Sequence, residues 1–142
     1  MSYLFPSKTF HDALAQVATF ERQPTSAKSK LSTSSRKDKV NRAFIQRVHQ
    51  LIIDNIENET LSAQDLCSAM HLSYSQFYRR IKAQTGQKPC LLIRSIRLQQ
   101  AKQLLETTYL NVSEIAYQVG FNDPNYFSRA FKKAYGISPS EV

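Results

Sequence analysis

Two arginines, Arg79 and Arg129, sit in matching settings and offer the clearest chemistry in this sequence. Each follows a phenylalanine by two places, Phe77 or Phe127, and each precedes a lysine by three, Lys82 or Lys132. An α-helix turns about 100° per residue. With Phe77 and Ile81 facing inward, Arg79 therefore points away from the core. The outward set is Ser75, Tyr78, Arg79 and Lys82, with Gln76 at its margin, and in the second segment Asn125, Ser128, Arg129 and Lys132. Arginine can hold guanine O6 and N7 with a two-pronged fork, and Asn or Gln can do the same for adenine. Arg79, Arg129, Asn125 and Gln76 are thus the base-reading candidates. Lys82, Lys132, Lys133 and Arg80 suit phosphates, which position a protein without specifying sequence. A lone arginine is more often a solvated surface side chain; the matched faces outweigh that reading for Arg79 and Arg129.

The match extends well beyond these faces. Leu61–Leu72 lies over Leu110–Phe121 at an offset of 49. After one inserted residue the offset becomes 50, pairing Phe77 with Phe127, Arg79 with Arg129, Lys82 with Lys132, Gly86 with Gly136 and Pro89 with Pro139. Such self-similarity marks a duplicated structural unit.

Each unit reads as two short helices around a tight turn. In the first, Ser62 and Asp65 form a capping-box pattern, then Leu66, Cys67 and Met70 recur at helical spacing. A turn at His71-Leu72 leads to a second helix opened by Ser73 and Gln76 and closed at Gly86, with Pro89 just beyond. In the second unit Asn111 and Glu114 open the first helix, and Ile115, Ala116 and Val119 form its apolar stripe. Gly120 takes the turn, and Asp123-Pro124 supplies a cap followed by a first-position proline. The helix N-termini at Ser62 and Asn111 also suit phosphates. Two further helices are expected. One runs from Asp38 to about Ile56, with Val40, Phe44, Val48, Leu51 and Ile52 on one face. The other runs from Lys88 to Thr107 and joins the units. The expected fold is all-α, with seven helices counted generously and two helix-turn-helix subdomains, at about 62–86 and 111–136, joined by a linker helix. At the α-helical rise the linker spans about 30 Å, close to one turn of B-DNA, ~34–36 Å.

The bulk composition suits a polyanion partner. The net charge is +8. Ser73–Pro89 holds Arg79, Arg80, Lys82 and Lys88 without an acid, and Pro124–Ser140 holds Arg129, Lys132 and Lys133 without one. Two basic islands on an otherwise balanced domain suit a polyanion such as double-stranded DNA; ordinary surface charge is the bland alternative, and the repeat decides against it. A helical protein–protein adaptor would instead show acidic or apolar outward faces. Apolar runs such as Cys90–Ile93 are too short to span a membrane, and the amino terminus lacks a secretory pattern. Cys67 and Cys90 are too few for a disulfide framework, and each lies in an apolar helical pattern as a buried free thiol would, so the cytoplasm is the expected compartment. Cys67 and His71 have i, i+4 spacing but no third ligand nearby, so no metal is expected. There is no phosphate-binding glycine loop, nucleophile elbow or carboxylate pair on one face, and neither a cofactor nor an enzymatic activity is expected.

Four strings carry a family resemblance. They are Ile96-Arg97-Leu98-x-x-Ala101-x-x-Leu104-Leu105, Val112-x-Glu114-Ile115-Ala116-x-x-Val119-Gly120-Phe121, Tyr126-Phe127-Ser128-Arg129-x-Phe131-Lys132-Lys133, and Gly136-x-Ser138-Pro139. Together with Phe77–Gly86 they resemble the DNA-binding domain of the AraC/XylS family of transcription activators, over residues 38–142. The wording is most similar to the C-terminal output domain of hybrid two-component regulators. The resemblance implies two recognition helices on a rigid linker, asymmetric promoter sites and recruitment of RNA polymerase. It places DNA contacts at Ser75, Tyr78 and Arg79, and at Asn125, Tyr126, Ser128 and Arg129. Pro124 departs, standing where some relatives have a polar contact residue.

The front of the chain also departs. Family members commonly carry a sensor or receiver domain there, and residues 1–37 are too few for such a core. Residues 23–39 read as a disordered basic linker, and residues 3–20 as a possible short helix. The expectation is either a stand-alone short regulator or the tail of a longer one.

Overall fold

The computed structural model describes residues 31–142, which form six α-helices and a closing 3-10 turn, with no strand among the described residues. The short helix expected within residues 3–20 lies outside the described residues. The first helix, α1, spans Leu31–Asp54. It begins well before Asp38, so the last part of the expected linker is helical. A helix nucleated on its buried half extends more cheaply than it starts, and no proline or glycine lies between Leu31 and Asp54 to stop it. Its carboxyl-terminal half buries Phe44, Ile45, Val48 and Ile52. Val40, expected on that face, is 56% exposed, because only the later turns of α1 meet the rest of the domain. Two i→i−3 bonds, from Asn55 N to Ile52 O and from Ile56 N to Ile53 O, both 3.2 Å, tighten its end.

The first unit follows with α2 (Ala63–Met70) and α3 (Tyr74–Thr85). Both caps are complete boxes. Ser62 Oγ accepts from Asp65 N while Asp65 accepts from Ser62 N, and Ser73 and Gln76 repeat the exchange. His71 adopts φ 59°, the left-handed region that the equivalence with Gly120 requires. Leu66, Cys67, Phe77 and Ile81 are buried with the α1 residues in one core.

The linker helix α4 spans Pro89–Thr107. Its 19 residues cover about 28 Å at the helical rise. Ile93 and Ile96 belong to the first core, Leu98 and Ala101 to a second. Cys90 corrects an expectation: it is exposed, while Cys67 is buried. Cys90 sits in the first turn of α4 next to the fully buried Pro89, but about 100° further round the helix, and so faces away from the side that packs.

The second unit has α5 (Val112–Gln118) and α6 (Pro124–Tyr135). Asn111 and Glu114 form a third box, and Asp123 caps α6 with Pro124 at its first position. Ile115, Ala116, Val119, Phe121, Phe127 and Phe131 fill the second core. Rings run along it as neighbours: Phe121 to Phe127 at 5.1 Å, Phe127 to Phe131 at 5.8 Å and Phe131 to Tyr135 at 4.7 Å between centroids. Aromatic pairs at these separations add to burial, which fixes α6 firmly.

Candidate nucleic-acid interface

The two second helices present the same face at the same register. Phe77 and Phe127 are fully buried, as are Ile81 and Phe131. Opposite them Ser75, Gln76, Arg79 and Lys82 are exposed on α3, and Asn125, Tyr126, Arg129, Lys132 and Lys133 on α6. Tyr78 and Ser128, equivalent at the offset of 50, are both half-buried. The buried aromatic anchor orients each arginine: with Phe77 locked inward, Arg79 has no route to the core.

Several candidates are already engaged. Gln76 Oε1 accepts from Ser73 N and Ser73 Oγ, both at 3.2 Å, so its amide oxygen is committed to the cap. The Ser62 and Asn111 side chains likewise accept from Asp65 N at 3.4 Å and Glu114 N at 2.8 Å. Arg80 lies with its guanidinium carbon 3.9 Å from the Phe44 ring centroid. A guanidinium held face-on to a ring still offers its N–H edge outward, so the packing does not withdraw it from anions. Tyr74 and Tyr78 stand 6.0 Å apart, ring to ring.

Two arginines of α4 were not legible as functional from the sequence. Arg94 Nη1 donates to Tyr126 Oη at 3.0 Å, joining the linker to the start of α6. Arg97 is buried to 7% exposure. Its Nη1 donates to Gly120 O at 2.8 Å and its Nη2 to Asn58 O at 2.7 Å. Burial pushes its guanidinium below the usual arginine value, yet arginine keeps its charge in proteins. A signal was present: Arg97 stands between Ile96 and Leu98, a charge inside a run that is apolar on both sides. Both arginines border a groove of about 460 Å³ between the units, together with Ser62, Glu59, Cys90 and Tyr126.

Elsewhere the surroundings are plain. Cys67 faces the core while His71 is exposed, so the pair does not share one environment. No described helix is long and apolar enough to cross a membrane.

A family model described as a helix-turn-helix domain matches residues 66–142. A histidine kinase from Formosa agariphila is 35% identical over 102 residues, 72% of this chain and 7% of the kinase. The transcriptional activator RhaS of Mannheimia succiniciproducens is 39% identical over 89 residues, 63% of this chain and 33% of that protein. The chain thus spans a third or less of these curated relatives. The DNA-binding domain of AdpA, a global transcriptional factor solved in complex with a target DNA, superposes with a TM-score of 0.63 at 27% identity, over 68% of this chain and 86% of that domain.

Proposed function

This chain belongs to the AraC-type family of helix-turn-helix regulators, and on that footing we propose that it reads promoter DNA by placing α3 and α6 in adjacent major-groove segments of one duplex. The observation that carries this reading is the equivalence of the two faces. Arg79 and Lys82 on α3 and Arg129 and Lys132 on α6 are exposed at the same positions over buried aromatic anchors. A solvated charge has no reason to recur in that register; two reading heads do. Arg79, Arg129 and Asn125 contact base edges, with Ser75, Tyr78, Tyr126 and Ser128 beside them. Lys82, Lys132, Lys133 and the outer edge of Arg80 meet phosphates, and Arg94 joins them from the groove between the units. The α4 length of about 28 Å matches a separation near one helical turn of DNA.

The finer reading is an activator that works in the cytoplasm and engages RNA polymerase. The similarity to a protein named as a transcriptional activator supports the activator part of that reading. The similarity to a small part of a histidine kinase supports an output role for this domain under a sensor or receiver.

In vitro selection from a random duplex library at near-physiological salt tests the reading. Two short enriched blocks about one turn apart are expected. Weak, salt-sensitive binding with no enriched sequence would overturn it.

A further inference from the structure

The two units have separate cores, and the fold must still set the angle between them. Leu66, Phe77 and Ile81 lie in one core, and Ile115, Phe127 and Phe131 in the other. Besides α4, the segment after α1 touches both: Ile56 packs partly against each core. The same segment meets the turn of the second unit. A Cβ on Gly120, whose φ is +94°, would overlap the Ile56 carbonyl oxygen and fall 2.6 Å from Arg97 Cζ. Arg97 closes this junction. One guanidinium holds Asn58 O, on the segment leading into the first unit, and Gly120 O, in the turn of the second.

We infer that Arg97 is a positioning residue that clasps the two units in one orientation and so sets the spacing between DNA blocks that the chain accepts. Its energetics favour geometry over stability. No carboxylate ion pair joins it among the described residues, and its buried Nε has no partner there. A buried charge offset only by carbonyl dipoles is a poor source of stability, and an apolar replacement of similar volume is often tolerated. What a guanidinium provides instead is a rigid planar fork, which holds its two acceptors at a fixed separation and angle. The repeat shows that the device is specific to one junction. The counterpart of Gly120 in the first unit is His71, which is exposed.

This inference rests on the DNA-reading proposal for its consequence, though not for its geometry, and two readouts keep them apart. Spin labels at Ala83→Cys on α3 and Ala134→Cys on α6, both exposed positions, in a Cys90→Ser background, report the distance between the units without DNA. The wild-type arginine is expected to give a narrow distribution and Arg97→Met a broad one, with the helical content and cooperative unfolding retained. On duplexes carrying the two selected blocks, one inserted base pair rotates the second block by about 35°. The wild type should then lose about tenfold or more, the cost of one misplaced base contact, while Arg97→Met should bind all spacings within about threefold of one another. Arg97→Lys, which keeps the charge but not the fork, serves if the methionine variant does not fold, and should broaden and flatten likewise. Unchanged distance distributions, or the same fractional loss at every spacing, would overturn the clasp. Broadened distances in a protein whose wild type selects no DNA would leave the clasp standing and remove the DNA reading.

Discussion

The Arg80 guanidinium lies over the face of Phe44, 3.9 Å from the ring centroid, and Phe44 in turn packs edge-on against Phe77 at 6.2 Å. A cation of α3 thus leans on α1, the helix behind it. Arg80→Ala should cost about 0.5–1 kcal/mol of stability through the lost cation–ring contact. It should also reduce the salt slope of log K by about 0.9 if its edge meets a phosphate. Urea unfolding and a salt titration read the two effects separately. Unaltered stability would show that the stacked geometry contributes nothing.

Arg129→Ala should weaken binding to the selected site by ~1–3 kcal/mol more than binding to random DNA, the worth of a bidentate base contact. Competition titrations with the two duplexes measure this difference. Equal losses on both would move Arg129 to the phosphate set.

For Lys132→Ala the expected signature is the opposite one. Affinity should fall alike on selected and random duplexes, with the salt slope reduced by about 0.9. A constant slope would mean that Lys132 touches no phosphate.

Gly86 and Gly120 make a controlled pair, since both have positive φ but only one is crowded. Gly86→Ala, with nothing within 4 Å of the new Cβ, should cost about 1–2 kcal/mol for the left-handed backbone alone. Gly120→Ala must in addition displace the Ile56 carbonyl and the Arg97 guanidinium, so its cost should clearly exceed that of Gly86→Ala. Denaturant unfolding of both variants decides, and equal costs would show that the junction yields freely. His71→Gly should stabilise by roughly 1 kcal/mol by relieving the same backbone region.

The two thiols should differ sharply toward an alkylating reagent at neutral pH. Cys90 is exposed and should react at once. Cys67 is buried, and burial pushes its thiol upward, which keeps the reactive thiolate scarce. One fast equivalent followed by a second only in denaturant is the expected count by mass spectrometry. Rapid loss of both would mean that α2 opens easily.

Much of this protein was legible in one dimension because its signals are local. A cap needs a side chain three places from an amide, so Ser62 with Asp65, Ser73 with Gln76 and Asn111 with Glu114 are written in the sequence. Helical periodicity places Phe77 and Phe127 inside, and the duplication then puts Arg79 and Arg129 outside together. Tertiary packing decided the rest. Val40 has the right spacing for the apolar face of α1, but it lies outside the core formed by the described residues and is left exposed. Cys90 has apolar neighbours, yet it stands about 100° round α4 from the fully buried Pro89 and so misses the packed side of that turn. Arg97 reads as one more charge on a linker; its partners are 23 residues ahead at Gly120 and 39 behind at Asn58. No local rule reaches across such separations, because these backbones are held beside one another only by the packing of both cores.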